Sequence, residues 1–174
     1  MPEGADHSLW FVPQGETLIK LEGIIKDLAK RYTAPVFVPH MTLIPDVVGS
    51  RAEVLKKMQS IAVGISPFQI RIIEMGYVTG SLYQGLYAKA QMSPELQGAV
   101  DLARSVFGRV SDPPFKPHIS VAYKEDLPDW EKEKLVPGLV AAVRGLTFTA
   151  DHIEAWTNGL PIEGWRKAGE ADLL

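Results

Sequence analysis

The chain has 174 residues, 46% of them apolar and 22% charged, with a formal net charge of −3 and no cysteine. Those values fit one globular domain large enough to bury a core, and they exclude disulfides, thiolate metal sites and a cysteine nucleophile. The mild negative charge argues against a protein that coats long nucleic acid with a basic face, while leaving room for a small phosphorylated ligand held by local complementarity.

In chain order, Ser8 to Val12 is a short apolar run ended by Pro13 and predicts a first strand. Leu18, Leu21, Ile24, Ile25, Leu28 and Ala29 recur at helical spacing and predict a helix over Glu16 to Tyr32, ended by Thr33, Ala34 and Pro35. A second strand is expected from Val36 to Ile44, closed by Pro45 and Asp46. Ser50 and Glu53 form a capping box that opens a helix to about Val63. Phe68 to Val78 and Leu82 to Gln91 read as strands joined by a hairpin at Gly80 and Ser81. Ser93-Pro94-Glu95 is an N-cap followed by proline and an acid, and it starts a helix ending near Gly108. Pro117 to Tyr123 reads as a strand. Pro128 to about Val143 reads as helical in its first half, with Pro137 expected to break or kink it. Leu146 to Trp156 and Gly164 to Ala168 complete the chain as strands. Met1 to His7 carries Glu3 and Asp6 and lacks the basic-then-apolar order of a signal peptide. No apolar run approaches the ~20 residues of a membrane span, so a cytoplasmic protein without membrane contact is expected.

One strand is therefore followed twice by helix, strand, helix and two strands. Phe37-Val38-Pro39-His40-Met41-Thr42-Leu43 matches Phe115-Lys116-Pro117-His118-Ile119-Ser120-Val121, and the two histidines stand 78 residues apart. The same offset relates helix starts near Gly15 and Ser93, and near Ser50 and Pro128. The expectation is one bilobed domain over residues 1–174, built from two related halves at about 1–91 and 92–174.

Side chains alternate along a strand, so His40 and Thr42 share one face while Met41 and Leu43 take the other. His118 and Ser120 are arranged likewise against Ile119 and Val121. Pro39 and Pro117 lack a backbone donor and place each histidine near a strand start or edge. Packed about a pseudo-twofold axis, the two imidazoles would face each other across a cleft. In-line displacement at phosphorus needs a base on the attacking oxygen and an acid on the leaving one. Imidazole suits both roles because its ordinary pKa is about 6.5, and the neighbouring hydroxyls can donate to the non-bridging oxygens. A lone histidine beside a threonine on a strand is usually an ordinary half-buried residue; two such segments with matched flanks are not. His7 and His152 lack the pattern and read as a mobile terminal residue and a surface or edge-strand residue. A metal site is disfavoured because no close histidine pair has ligand spacing and no acid follows either histidine at short range. No Gly-x-Ser-x-Gly elbow supports a serine nucleophile.

At His40-Met41-Thr42 and His118-Ile119-Ser120 the chain resembles the two-histidine phosphodiesterase superfamily, and within it the cyclic phosphodiesterases. Ser8-Leu9-Trp10, Tyr83-Gln84, Ser93-Pro94-Glu95 and the run from Pro117 to Tyr123 fall in the matching order. The resemblance implies a bilobed LigT-like duplicated α+β fold, two antiparallel sheets facing a central cleft with helices outside. It implies hydrolysis of ADP-ribose 1″,2″-cyclic phosphate and nucleoside 2′,3′-cyclic phosphates with no metal or other cofactor. His118 would activate water and His40 would protonate the leaving oxygen, although the two segments are too alike for the residues to assign those roles. It also places Tyr123 and Trp10 near the ligand. By strict alternation Tyr123, five residues from His118, faces away unless the strand bulges; Trp10 fits a base-stacking residue or a core tryptophan equally well.

Without cysteine, any lid over the cleft must be held by something other than a disulfide. Lys116 is the nearest basic residue to either motif, which weakens the case for a long RNA substrate. The expected partner is a small nucleotide cyclic phosphate met by a monomer. The rival readings are a phosphodiesterase of RNA 2′,3′-cyclic ends, related to 2′-5′ RNA ligases, and a catalytically silent phosphate-binding module.

Overall fold

The computed structural model describes residues 7–159 and 161–174; of the Met1 to His7 stretch, where no signal peptide is expected, all but His7 lies outside them. The N-terminal strand β1, His7–Phe11, is followed by helix α1, Gly15–Tyr32, which buries Leu21, Ile25, Leu28 and Ala29 as its spacing requires. Strand β2, Met41–Val47, leads to α2, Arg51–Ala62, where Ser50 and Glu53 form the reciprocal capping box. Strands β3, Phe68–Gly76, and β4, Leu86–Ala90, precede α3, Pro94–Val106, capped by the Ser93 hydroxyl. Then come β5, His118–Ala122, and α4, Asp129–Val143. Three strands finish the chain: β6, Thr147–Ala150, β7, His152–Thr157, and β8, Arg166–Asp172.

The architecture is α+β. Among the described residues the strands run in the order β6-β3-β4-β5-β2-β1-β7-β8, with every described pairing antiparallel. The two expected sheets are thus one continuous order, with two four-stranded groups joined only where Met41 pairs with Ile119. Beyond that pair β2 and β5 diverge, and the divergence opens a cleft. Helices α1 and α4 pack on the β6-β3-β4-β5 group, whereas α2 and α3 pack chiefly on the other. No helix among the described residues is long and apolar enough to cross a membrane.

Four sequence expectations give way. The helix expected only in the first half of residues 128–143 runs through Pro137 to Val143; Leu135, Val136, Leu139 and Val140 pack against the core, and that burial offsets the lost backbone bond. The single strand expected over Leu146 to Trp156 is cut at Asp151. The Asp151 carboxylate accepts from Gln14 and His152, both at 2.6 Å, and its carbonyl accepts from the Leu173 amide. Those bonds turn the chain from β6, at one edge, to β7, near the other. Pro45 and Asp46 do not close β2, because a bulge there absorbs them: Leu9 faces Ile44 while His7 faces Val47, and Asp46 adopts φ 50°. The two-residue hairpin at Gly80 and Ser81 is instead a longer loop over residues 77–85, with Gly80 at φ 66°.

Candidate active site

His40 immediately precedes β2 and His118 opens β5, so both rings stand at the mouth of the divergence between these strands. Each Nδ1 lies against the carbonyl two residues upstream, Val38 for His40 at 2.7 Å and Lys116 for His118 at 2.8 Å. A carbonyl only accepts, so each Nδ1 carries the proton, and each neutral ring has Nε2 as its basic nitrogen. The two Pro-His segments thus fix one tautomer twice.

His40, His118, Thr42 and Ser120 line one cleft of about 410 Å³, together with Ser8, Pro45, Asp46, Ser81, Tyr83, Gln84, Tyr123, Asn158 and Trp165. Among these residues Asp46 is the one formal charge, and there is no lysine or arginine. The expected quartet of two imidazoles and two hydroxyls is therefore brought together. The Ser120 hydroxyl donates to the Tyr83 carbonyl.

The two imidazoles differ in their surroundings. His40 is 6% exposed and stacks on Trp10, with centroids 3.5 Å apart and planes at 11°. Phe37 and Trp165 meet it edge-on. Burial pushes its pKa from 6.5 down to about 4, the Val38 carbonyl opposes that shift, and the nearby His118 adds to it. His118 is half-buried, and Gln84 donates its amide to the His118 Nε2 at 3.3 Å. Burial lowers its pKa too, against the opposing bond to the Lys116 carbonyl.

Tyr123 lies on the cleft, and the reason is a bulge. Tyr87 pairs with Ser120 and the next residue, Leu86, pairs with Ala122, so β5 spends an extra residue there and the facing alternation inverts. The Tyr123 ring stacks on Phe37 at 3.8 Å, and burial drives its hydroxyl pKa well above the ordinary 10. Trp10 does not line the cleft. It is 1% exposed, with His40 stacked on one side and Trp156 at 4.8 Å. Facing Thr42 across β1 and β2, it points toward the cleft, but the His40 ring lies over it. Of the two parts equally open to it in the sequence, its burial fits the core tryptophan, here a support for His40, and not the base-stacking residue.

Trp165, Tyr83 and Gln84 were not singled out as site residues by the sequence reading. Trp165 immediately precedes β8 and is fixed by its indole donating to the Gly159 carbonyl at 2.8 Å. No local pattern marks it. Tyr83 and Gln84 sit on the 77–85 loop, and a cluster from the first turns of α4 holds that loop. Tyr77 donates to Glu133 at 2.9 Å and Thr79 donates to Asp129 at 2.5 Å. Lys132, whose side chain is fully buried, donates to the Val78 carbonyl and to Asp129, both at 3.3 Å. These bonds perform the steadying that a cysteine-free chain cannot give to a disulfide.

The remaining histidines stand apart from the cleft. His7, expected to be mobile, is buried at the start of β1. His152 lies in β7 between Asp151 and Glu154, at 2.6 and 3.4 Å. Among the described residues no three His, Asp or Glu side chains converge as a metal ion would require.

The sequence model of the 2′-5′ RNA ligase superfamily matches residues 20–159, a span that contains both histidine segments. The cyclic phosphodiesterase of Arabidopsis thaliana is 22% identical over 173 residues, covering 96% of this chain and 94% of that protein. Among solved structures, TT0787 of Thermus thermophilus superposes with a TM-score of 0.65 at 18% identity, covering 97% of each chain. E. coli LigT in its apo form gives 0.63 at 17% identity, covering 98% of each chain. LigT complexed with 3′-AMP gives 0.61 at 14% identity, covering 98% of this chain and 99% of that one. With both His-x-Thr/Ser segments inside the matched span, the chain belongs to the 2′-5′ RNA ligase superfamily of two-histidine phosphoesterases.

Proposed function

We propose that the chain hydrolyses nucleotide cyclic phosphates to phosphomonoesters, without a metal, using His40 and His118 as an acid–base pair. The substrates are nucleoside 2′,3′-cyclic phosphates and ADP-ribose 1″,2″-cyclic phosphate. The observation that carries this reading is the pair of imidazoles in one cleft, each locked through Nδ1 to its own upstream carbonyl. The Arabidopsis relative's name and the 3′-AMP held by LigT lend it support.

In this reading the cyclic phosphate lies between the two rings. A neutral Nε2 takes a proton from water as the water oxygen attacks phosphorus. The opposite imidazolium gives its proton to the ribose oxygen as the old phosphorus–oxygen bond breaks. One water is consumed, and a phosphomonoester and a free hydroxyl result. Thr42 and Ser120 donate to the non-bridging oxygens; Ser120 exchanges its bond to the Tyr83 carbonyl for one to phosphate. Tyr123, Tyr83 and Trp165 offer aromatic surface to the nucleoside.

The protonation order bears on the roles. Burial depresses His40, the more enclosed ring, so strongly that in the free cleft the first proton goes to His118. With His118 as base and His40 as acid, the active arrangement is therefore the less populated of the two singly protonated forms, and a phosphate anion against both rings favours the charged form of each. The test is turnover of 2′,3′-cyclic AMP and ADP-ribose 1″,2″-cyclic phosphate in EDTA, beside His40→Ala and His118→Ala. Turnover in EDTA that each substitution cuts by at least ~10²-fold is expected. Full activity in either variant would overturn the mechanism.

A further inference from the structure

We infer that the cavity adjoining the cleft on the His118 side is a second-phosphate subsite, which takes the 5′-phosphate or pyrophosphate of a small nucleotide whose ribose carries the reacting phosphate. This rests on the reading of the cleft given above. The cavity, of about 560 Å³, shares His118 and Gln84 with the cleft, so one bound molecule can occupy both. Lys89 and Lys116 line it, whereas no lysine or arginine lines the cleft.

The β-sheet register explains the placement. Lys89 is directly across from His118, and Tyr87 from Ser120, so these four side chains share one face of the β4–β5 pair. Lys116 joins from just ahead of β5, two residues before His118. Both lysines are exposed. Glu74, the carboxylate across from Lys89 on β3, is bonded to Arg144 at 2.8 Å, and Lys89 acts on it more weakly, through space. Tyr87 meets the His118 ring edge-on at 5.3 Å, and Phe115 adds a second aromatic wall.

Two ammonium groups beside an aromatic wall match one or two phosphates attached to a nucleoside. They do not form the continuous basic track that successive phosphates of an RNA strand would need. The cleft bears little positive charge of its own, so charge complementarity for an extended anionic substrate resides in this neighbouring cavity. Specificity between a plain cyclic mononucleotide and a pyrophosphate-bearing one would be decided there.

The experiment is equilibrium binding of 2′-AMP and adenosine 2′,5′-bisphosphate to the full chain in EDTA, with Lys89→Gln, Lys116→Gln and the double variant alongside. The bisphosphate is expected to bind the native chain at least ~10-fold more tightly. The double variant should lose that advantage and keep its affinity for 2′-AMP. Equal affinities in the native chain, or an advantage that survives both substitutions, would overturn the subsite. So would a cyclic-ended oligonucleotide that outcompetes the bisphosphate with a salt dependence of several phosphates. Because binding is read here and turnover above, a chain that binds both compounds but hydrolyses nothing separates failure of the chemistry from failure of the subsite. A chain that does not bind 2′-AMP fails both.

Discussion

His40 and His118 stand in matched seven-residue segments and make the same bond to the same relative carbonyl, yet they occupy unlike environments. His40 rests on Trp10, enclosed by Phe37 and Trp165. His118 touches the Gln84 amide and the Tyr87 edge and opens onto a lysine-lined cavity. The comparison separates two tasks. The repeated segment sets position and tautomer, which depend on the backbone within two residues of the ring. The surroundings, drawn from distant parts of the chain, set how readily each ring takes a proton.

The sharpest way to break the comparison is to remove both rings at once. If the pair acts as one unit, the double variant His40→Ala/His118→Ala should lose about as much kcat as the more damaging single variant, at least ~10²-fold. Losses that multiply, measured by single-turnover hydrolysis, would mean that the two rings act independently.

A second test concerns stability. The unfolded chain takes a proton on His40 near the ordinary 6.5, whereas the folded chain resists until about pH 4. The contribution is fully present above pH 6.5 and is lost as pH falls toward 4, on the order of 3 kcal/mol in all. His118 adds a change of the same sign. Urea unfolding over that range should show the decline, and His40→Gln should flatten it. An unchanged slope in the variant would show that Trp10 and its neighbours do not hold the ring neutral.

The smallest effect is on the pH–rate profile. Both pKa values are depressed in the free cleft, so the bell in kcat/KM should peak on the acid side of 6.5. The bell in kcat should peak higher, because a bound phosphate favours the charged rings. Coincident optima would show that the substrate does not lie against both imidazoles.

The quartet of His40, Thr42, His118 and Ser120 was legible because strand alternation and a repeated segment act over a few residues. Tyr123 needed knowledge of a bulge, which depends on how β4 pairs with β5 and leaves no mark in the residues of β5 alone. Trp10 was legible as an aromatic residue on the correct face, but its burial depends on the His40 ring lying over it. Trp165 and the Lys132 clamp are contacts between segments far apart in the chain. Lys89 could not be linked to His118 until the register placed them opposite each other. The local rules for Pro45 and Pro137 were sound, but a bulge and a packed helix face outweighed them.

The interleaved strand order bears on how the chain is made. Emerging from the ribosome, β1 pairs with β2 and β3 with β4, but β5 must come between those pairs. Its residues, from His118 to Ala122, appear only after more than half of the chain has been synthesised. The other edge of β1 waits longer still, for His152–Thr157. A nascent chain therefore carries open strand edges through most of its translation, a state prone to joining other chains. Slow, late-closing folding governed by contacts distant in sequence is the expected result.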